Sequence, residues 1–406
     1  MATGASTRAA AVQTGTVYAI LFAISSVHML NDTMQAIVTA MFPVVRTSLD
    51  LSLGQIGWVA FALNMTSSVM QPVVGFLSDK RPAPWMLPLG MVLSLIGVAG
   101  LAYSPGFWTL MLAVMFVGLG SAIFHPEGSR VVYFAAGGRR GLAQSIYQVG
   151  GNAGSSLAPL MTIFIFVPLG QSGAVWGTLL AAAAIIILLR VVPWYRTQLA
   201  VHGKPVKRPV KSAAGPADTS QVRRNVGFAL FLLVLLVFAR SWYTTGISTY
   251  YQIYLEDFRG YSLKAAQVPI FLFMAAGVLG TFLGGILADR FGRKRMILIS
   301  IGGAAPFALL LPYLPSALIY PVIFILGVVL LSGFSVSVVY AQELLPGKVG
   351  MASGLITGLA FGMGAIGAVI IGEAGDIWGL DRVLTWSSFL PLIGLLAIAL
   401  PPDRRD

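Results

Sequence analysis

Gly285-Ile-Leu-Ala-Asp289-Arg290-Phe-Gly292-Arg293-Lys-Arg295 closes one long apolar segment, and 210 residues earlier Gly75-Phe-Leu-Ser-Asp79-Lys80-Arg81 closes another. A Gly-x-x-x-Asp turn followed by bases therefore occurs twice, each time just after a stretch long enough to cross a membrane. A second pair, Gly141-Leu-Ala-Gln144 and Gly350-Met-Ala-Ser, recurs at nearly the same offset. The duplication predicts two related halves, the build of proteins that move a solute past a site at mid-membrane.

Hydrophobic residues make up 57% of the 406 and charged residues 10%, against roughly 25% charged in an ordinary soluble domain. No water-soluble core hides that much apolar surface. Apolar runs of about 20 residues, the length a bilayer requires, recur near 18–42, 53–77, 85–104, 107–134, 142–167, 173–193, 226–251, 266–288, 295–313, 318–343, 350–373 and 383–400. The fold class expected is an all-α polytopic membrane protein, with 12 transmembrane helices in two pseudo-symmetric six-helix bundles. The polar stretch after span six, with Lys204, Pro205, Pro209 and Gly215-Pro216, has linker composition. Residues 1–193 are read as the first bundle, 194–224 as a cytoplasmic linker and 225–406 as the second bundle.

The net charge of +12 would suggest nucleic acid in a soluble protein, but position decides otherwise. About 20 of the 26 Lys and Arg fall on one alternating set of loops and the tails, while the opposite set holds Arg46, Arg259, Lys264 and Arg382. By the positive-inside rule both termini are cytoplasmic, in a multi-pass protein of the bacterial inner membrane. The partner of this charge is the lipid bilayer, and nucleic acid is not expected. There is no cysteine, which excludes disulfides and thiolate metal sites. Three scattered His suggest neither a metal site nor a cofactor. Met1 to Thr16 reads as a tail before a retained first span, without the small-residue signature of a cleaved signal.

Polar groups inside spans are costly and mark interior faces. Span one carries His28, Asn31, Asp32, Gln35 and Thr39 on one helical face. Span two adds Asn64, Ser67, Ser68 and Gln71; span five adds Gln144, Gln148 and Asn152, four apart, with Tyr147 beside them. Span four holds Phe124-His125-Pro126-Glu127-Gly-Ser-Arg130, where Glu127 and Arg130 are three apart and can pair. His125 points away from that pair and is read as structural. The second half is sparser: Arg240 with Tyr243, Thr244 and Tyr251 in span seven, Glu343 at the end of span ten, and Glu373 and Asp376 toward the opposite end of span eleven. Gly150, Gly151 and Gly154 in span five, and Gly358, Gly362, Gly364 and Gly367 in span eleven, predict close helix contacts in each bundle.

These residues suggest proton coupling through Asp32 and His28, with Glu127 and Arg130 as a pair that forms or breaks as the halves rock. Arg240, Gln35, Asn64, Gln71, Gln144, Tyr147, Gln148, Asn152 and Tyr243 are the candidate substrate contacts, Arg240 holding an anionic group. Each has a plainer alternative: a paired structural carboxyl at Asp32, a satisfied interhelical hydrogen bond at His28, a simple salt bridge at Glu127 and Arg130, and topology-setting charges in the duplicated turns.

The six-plus-six architecture and the duplicated turn resemble the major facilitator superfamily, whose loop motif reads Gly-x-x-x-Asp-Arg/Lys-x-Gly-Arg/Lys-Arg/Lys. Gly285, Asp289, Arg290, Gly292 and Arg293 match it fully; Gly75, Asp79 and Lys80 match its first part, after which the chain reads Arg81-Pro-Ala-Pro-Trp85. The resemblance implies a gating role for both turns. His28-Met-Leu-Asn-Asp32, Gln71-Pro-Val-Val-Gly75, Phe124-His-Pro-Glu127-Gly-Ser-Arg130 and Gly141 through Ser156, in that order, are similar to the fosmidomycin-resistance branch. That resemblance implies proton-driven export of a small toxic compound, fosmidomycin being an anionic phosphonate, by a monomer. An importing proton symporter for a sugar, nucleoside or organic acid stays open, because alternating access is reversible. An enzyme would need a convergent catalytic constellation, and none is evident in the sequence.

Overall fold

The protein, seen in a computed structural model, is described over residues 15–80, 83–137, 140–202, 219–345 and 349–402. The remaining residues and the side chains of Asp79, Lys80, Gln144 and Asp289 lie outside the description, so these four sites are placed by backbone alone. Among the described residues the secondary structure is helical throughout.

The first bundle contains α1 (Tyr18–Ala40), α2 (Leu53–Lys80), α3 (Met86–Tyr103), α4 (Phe107–Ala135), α5 (Arg140–Met161, continued by a π-helical turn, Thr162–Phe166) and α6 (Gln171–Val201). The second contains α7 (Val226–Arg259), α8 (Leu263–Phe291), α9 (Arg293–Tyr313), α10 (Ser316–Leu344), α11 (Val349–Trp378) and α12 (Leu380–Ala399). Eleven of these contain segments long and apolar enough to span a bilayer on their own composition. α1, at 23 residues and so about 34 Å long, has the length but carries the polar stripe. Apolar side chains such as Phe22, Ile186, Phe231 and Ile398 project outward, as a hydrocarbon solvent permits.

The helix of span six extends into the stretch read as linker. The helix containing α6 continues past Pro193 to His202, because Tyr195 is fully buried and bonded to α4. A helical segment entering α7 begins again at Thr219.

Gly292, with φ of 95°, sits at the N-terminus of α9. Only glycine adopts that conformation without strain, which accounts for the second Gly of the motif. Just beyond it Arg293 pairs with Glu343 of α10 at 2.5 Å, tying the turn to its own half.

Small residues set the helix contacts. A Cβ at Gly150 would lie 2.3 Å from the Ser25 carbonyl oxygen, and one at Gly154 would lie 2.1 Å from that of Met29. α1 and α5 therefore meet backbone to backbone, sealed by Ser25 donating to the Ile146 carbonyl and Thr33 to that of Gly154. In the second half Gly364 and Gly367 meet Thr245 and Trp242 of α7. Gly358 and Gly362 depart from the expectation: among the described residues nothing lies within 4 Å of their Cβ positions, nor of that of Gly285.

The reason is the way the halves meet. Call the end bearing residues 18, 80, 291 and 345 the terminal end, and the end bearing residues 40, 53, 259 and 378 the far end. Among the described residues, the hydrogen bonds joining the halves gather at the far end. Asp376 of α11 accepts from the backbone amides of Leu53 and Gly54, at 2.9 and 2.6 Å, where the N-terminus of α2 offers unpaired N–H groups. Trp58 donates to Glu373, the Tyr250 hydroxyl to the Leu53 carbonyl, and Gln252 to that of Thr39. Arg46 pairs with Asp257 at 2.6 Å. A Cβ at Gly57 would lie 2.6 Å from the Ala368 carbonyl oxygen, so α2 and α11 are in backbone contact there. The far end is closed, and the open space at Gly285, Gly358 and Gly362 belongs to the terminal end.

Replacing Asp376 with Ala removes the acceptor for two helix-terminal amides, and should loosen this closure. The chain has no cysteine, so a single Thr39→Cys reports directly on access to the far end. In the Asp376→Ala background its labelling by a membrane-impermeant maleimide should rise severalfold; unchanged labelling would show that Asp376 does not hold the seal.

Candidate functional site

The polar stripe of α1 converges with α4 and α5 on one cluster. His28 and Asp32, one turn apart, place Nε2 and Oδ2 at 3.3 Å. His125 of α4 brings its Nε2 to 3.5 Å from Oδ1 of the same carboxylate. Asp32 thus lies between two imidazoles, one of them the His125 that the sequence reading took as structural. His125 does turn away from Glu127, but that rotation aims it at α1. Sequence separation concealed the meeting, although Pro126 and the i, i+4 spacing of Ser121 and His125 were available as signals. Two of the three scattered His thus meet across 97 positions of sequence.

Each imidazole is held from behind. His28 Nδ1–H donates to the Tyr147 carbonyl at 2.8 Å, and the Tyr147 ring stacks on His28 with centroids 4.0 Å apart. His125 Nδ1–H donates to the Ser121 carbonyl at 2.9 Å. Asn31 donates from Nδ2 to Asp32 Oδ1 at 2.9 Å, and Ser121 donates to Gln35 Oε1 at 2.7 Å. The arrangement requires a glycine on α5: a Cβ at Gly151 would lie 2.5 Å from His28 Nε2 and 2.6 Å from Asp32 Oδ2. His28 is buried, whereas the side chains of Asp32 and His125 are 19% and 25% exposed, so small species can reach the carboxylate.

Glu127 and Arg130 form a separate constellation nearer the terminal end. Glu127 is 0% exposed; its Oε1 accepts from Arg130 at 3.1 Å and its Oε2 from the Tyr195 hydroxyl at 2.7 Å. Arg130 also donates to the carbonyl and hydroxyl of Ser78, both at 3.1 Å. A buried carboxylate satisfied on both oxygens joins α4 to α6, and through Arg130 to the end of α2 where the Gly75 turn begins. Tyr195 and Ser78, the parts the sequence reading missed, carried no signal beyond a Tyr in an expected linker and a Ser inside the motif.

The candidate substrate residues divide. Gln35 joins the cluster through Ser121 and also donates to Ser67 at 3.4 Å, while Tyr147 forms the back wall of His28. Asn64 donates to its own helix at the Ala60 carbonyl. Gln71, Gln148 and Asn152 are half-buried on α2 and α5. Tyr243 is not brought to the others: it lies within the second half among Ile247, Tyr251, Tyr254, Ala308 and Leu311. Arg240 is 3% exposed and its guanidinium carbon lies 4.8 Å from the centre of the Phe334 ring on α10. Its Nε has no hydrogen-bond partner, and among the described residues no carboxylate pairs with it. Removing a guanidinium from water without a counterion costs several kcal/mol, so this position is held at the expense of stability. Arg290 stands by the Phe291 ring at 5.5 Å, at the end of α8.

Residues 24–368 match the family described as Major Facilitator Superfamily. The chain is 51% identical over 390 residues, 96% of its length and 94% of that protein's, to an uncharacterised MFS-type transporter, YfnC, of Bacillus subtilis (strain 168). It is 43% identical over 390 residues, with the same coverage, to the fosmidomycin resistance protein of Escherichia coli (strain K12). Its fold resembles the crystal structure of a bacterial homologue of the human lysosomal transporter Spinster, in an inward-facing and occupied conformation. The TM-score is 0.75 at 15% identity, covering 95% of this chain and 97% of that one. Twelve helices in two halves, a polar cluster inside one of them and this coverage agree: the chain belongs to the major facilitator superfamily, and is a membrane transporter rather than an enzyme.

Proposed function

We propose that the protein exports a small anionic compound from the cytoplasm in exchange for protons, acting as a single chain in the bacterial inner membrane. The observation that carries this reading is Asp32 held between His28 and His125 and partly exposed. A carboxylate so placed can take up and release a proton without leaving its partners. The basic loops support a cytoplasmic terminal end; on that reading the closed far end faces outward and cargo enters from the terminal end. The 43% identity to a fosmidomycin resistance protein supports export and an anionic cargo.

In this cycle Arg240 holds the anion, supplying the counterion that its burial otherwise lacks. Gln35, Asn64, Gln71, Gln148 and Asn152 offer neutral hydrogen bonds to it. A proton arriving from outside neutralises Asp32, weakens its hold on the two imidazoles and frees α1 and α4 to shift against each other. The Glu127, Arg130 and Tyr195 group then serves as the hinge clamp, carrying that shift to the Gly75 turn. Each proton moved inward contributes about 2.3 kcal/mol per 100 mV of membrane potential.

In proteoliposomes with an imposed pH gradient, Asp32→Asn should abolish gradient-driven efflux of a phosphonate while leaving substrate exchange without a gradient intact. Gradient-driven transport at the wild-type rate in this variant would remove Asp32 as the carrier. Arg240→Gln should weaken phosphonate binding to purified protein by at least tenfold, and should leave binding of an uncharged analogue unchanged. Equal loss for both would assign Arg240 to packing. Growth of a deletion strain separates export from import: drug sensitivity supports the reading, and loss of growth on a nutrient overturns it.

A further inference from the structure

The hydrogen inventory of the cluster is unusual. Both Nδ1 atoms face backbone carbonyls, of Tyr147 and Ser121, and a carbonyl can only accept. Each Nδ1 therefore carries its hydrogen, and in a neutral imidazole the lone pair then lies on Nε2. These two lone pairs point at the two oxygens of Asp32, acceptors facing acceptors. A proton shared between a ring and the carboxyl, or a cation held by all three groups, would relieve that opposition.

The distances favour the cation. A hydrogen bond from imidazolium to carboxylate closes to about 2.7–2.9 Å, whereas the two contacts here are 3.3 and 3.5 Å. Ligand bonds of about 2.0–2.2 Å to a tetrahedral zinc-class ion set neighbouring ligand atoms about 3.4 Å apart. One donor atom from each of His28, Asp32 and His125 lies within 4.8 Å of the others, so modest closure completes a three-ligand face. The surroundings match the outer shell such ions need: each His Nδ1–H bonds a carbonyl, fixing tautomer and ring, and Asn31 bonds the carboxylate. Asn31 itself is 1% exposed, and its Oδ1 has no donor, an acceptor available to an ion-bound water. Gly151 leaves the ligand atoms room on the α5 side, and the exposure of Asp32 and His125 leaves a way in.

From this we infer that His28, Asp32 and His125 form a binding site for a divalent transition metal of the zinc class, with a fourth position open to water. The site stands on its ligand geometry alone; only its consequence for transport rests on the proposed coupling role of Asp32. There, an ion would occupy the carboxylate in place of a proton and hold α1 against α4, stopping the cycle.

Purified protein in nanodiscs is titrated with Co²⁺, followed by visible absorption, and then with Zn²⁺ in competition. One saturable site is expected, with the intense bands of four-coordinate cobalt, bleached by Zn²⁺. His28→Gln and His125→Gln should each weaken Co²⁺ binding by tenfold or more, while His202→Gln leaves it unchanged. Binding equal to wild type in both cluster variants, or only the weak spectrum of six-coordinate cobalt, overturns the inference. If either variant fails to fold by thermal melting, the wild-type spectrum and its competition by Zn²⁺ decide alone. The proton assay with Asp32→Asn is run in chelator-treated vesicles, so its failure and the failure of metal binding are read separately.

Discussion

The structure depends on the backbone contact between α1 and α5. With no side chain at Gly150, Gly151 and Gly154, the two helices approach until Ser25 and Thr33 bond across to the opposing carbonyls. Membrane helices lack a hydrophobic drive toward one another, so close packing and interhelical hydrogen bonds must supply the association. The same closeness brings the Tyr147 carbonyl to His28 and leaves space for Asp32 beside Gly151. Packing and chemistry are therefore one arrangement: the glycines that join the helices also make the pocket in which a carboxylate and two imidazoles fit.

The two halves share an architecture and divide the work. The first holds the His28, Asp32 and His125 cluster and the Glu127 group, whose carboxylate is satisfied on both oxygens. The second holds Arg240, buried over Phe334 with its Nε unpartnered. Between them lies a seal at the far end whose main element is electrostatic. Asp376 caps the N-terminus of α2 from the other half, using backbone dipoles that no mutation of α2 side chains would remove.

Much of the fold was legible along the chain because a bilayer imposes lengths. Span positions follow from runs of about 20 apolar residues, and the duplicated turn announces two halves. The helix from Thr178 to His202 ran past its expected end because Tyr195, polar enough to read as linker, is drawn inside by Glu127. The candidate site was legible on single helices, where periodicity of 3.6 places His28, Asp32 and Gln35 on one face. It was not legible between helices. His125 turned from Glu127 as the helical angle required, but which helix it then met depends on the rotation of α4 about its own axis. Glu373 and Asp376 were visible as acids at the end of α11, but their role needed the N-terminus of α2 beside them.

By itself the sequence determined what depends on solvent and on neighbours along the chain: the number and length of helices, the even topology, the internal repeat, the polar faces and the membership of the family. The tertiary structure decided what depends on distances between helices. It brought two histidines to one carboxylate, gave Arg130 to Ser78, left Arg240 Nε without a partner among the described residues and closed the far end while Gly358 and Gly362 stayed open. The physical reason is range: burial and helical periodicity act over a few residues of sequence. Hydrogen bonds and ion pairs act over a few ångströms of space, and the sequence does not state which distant residues share that space.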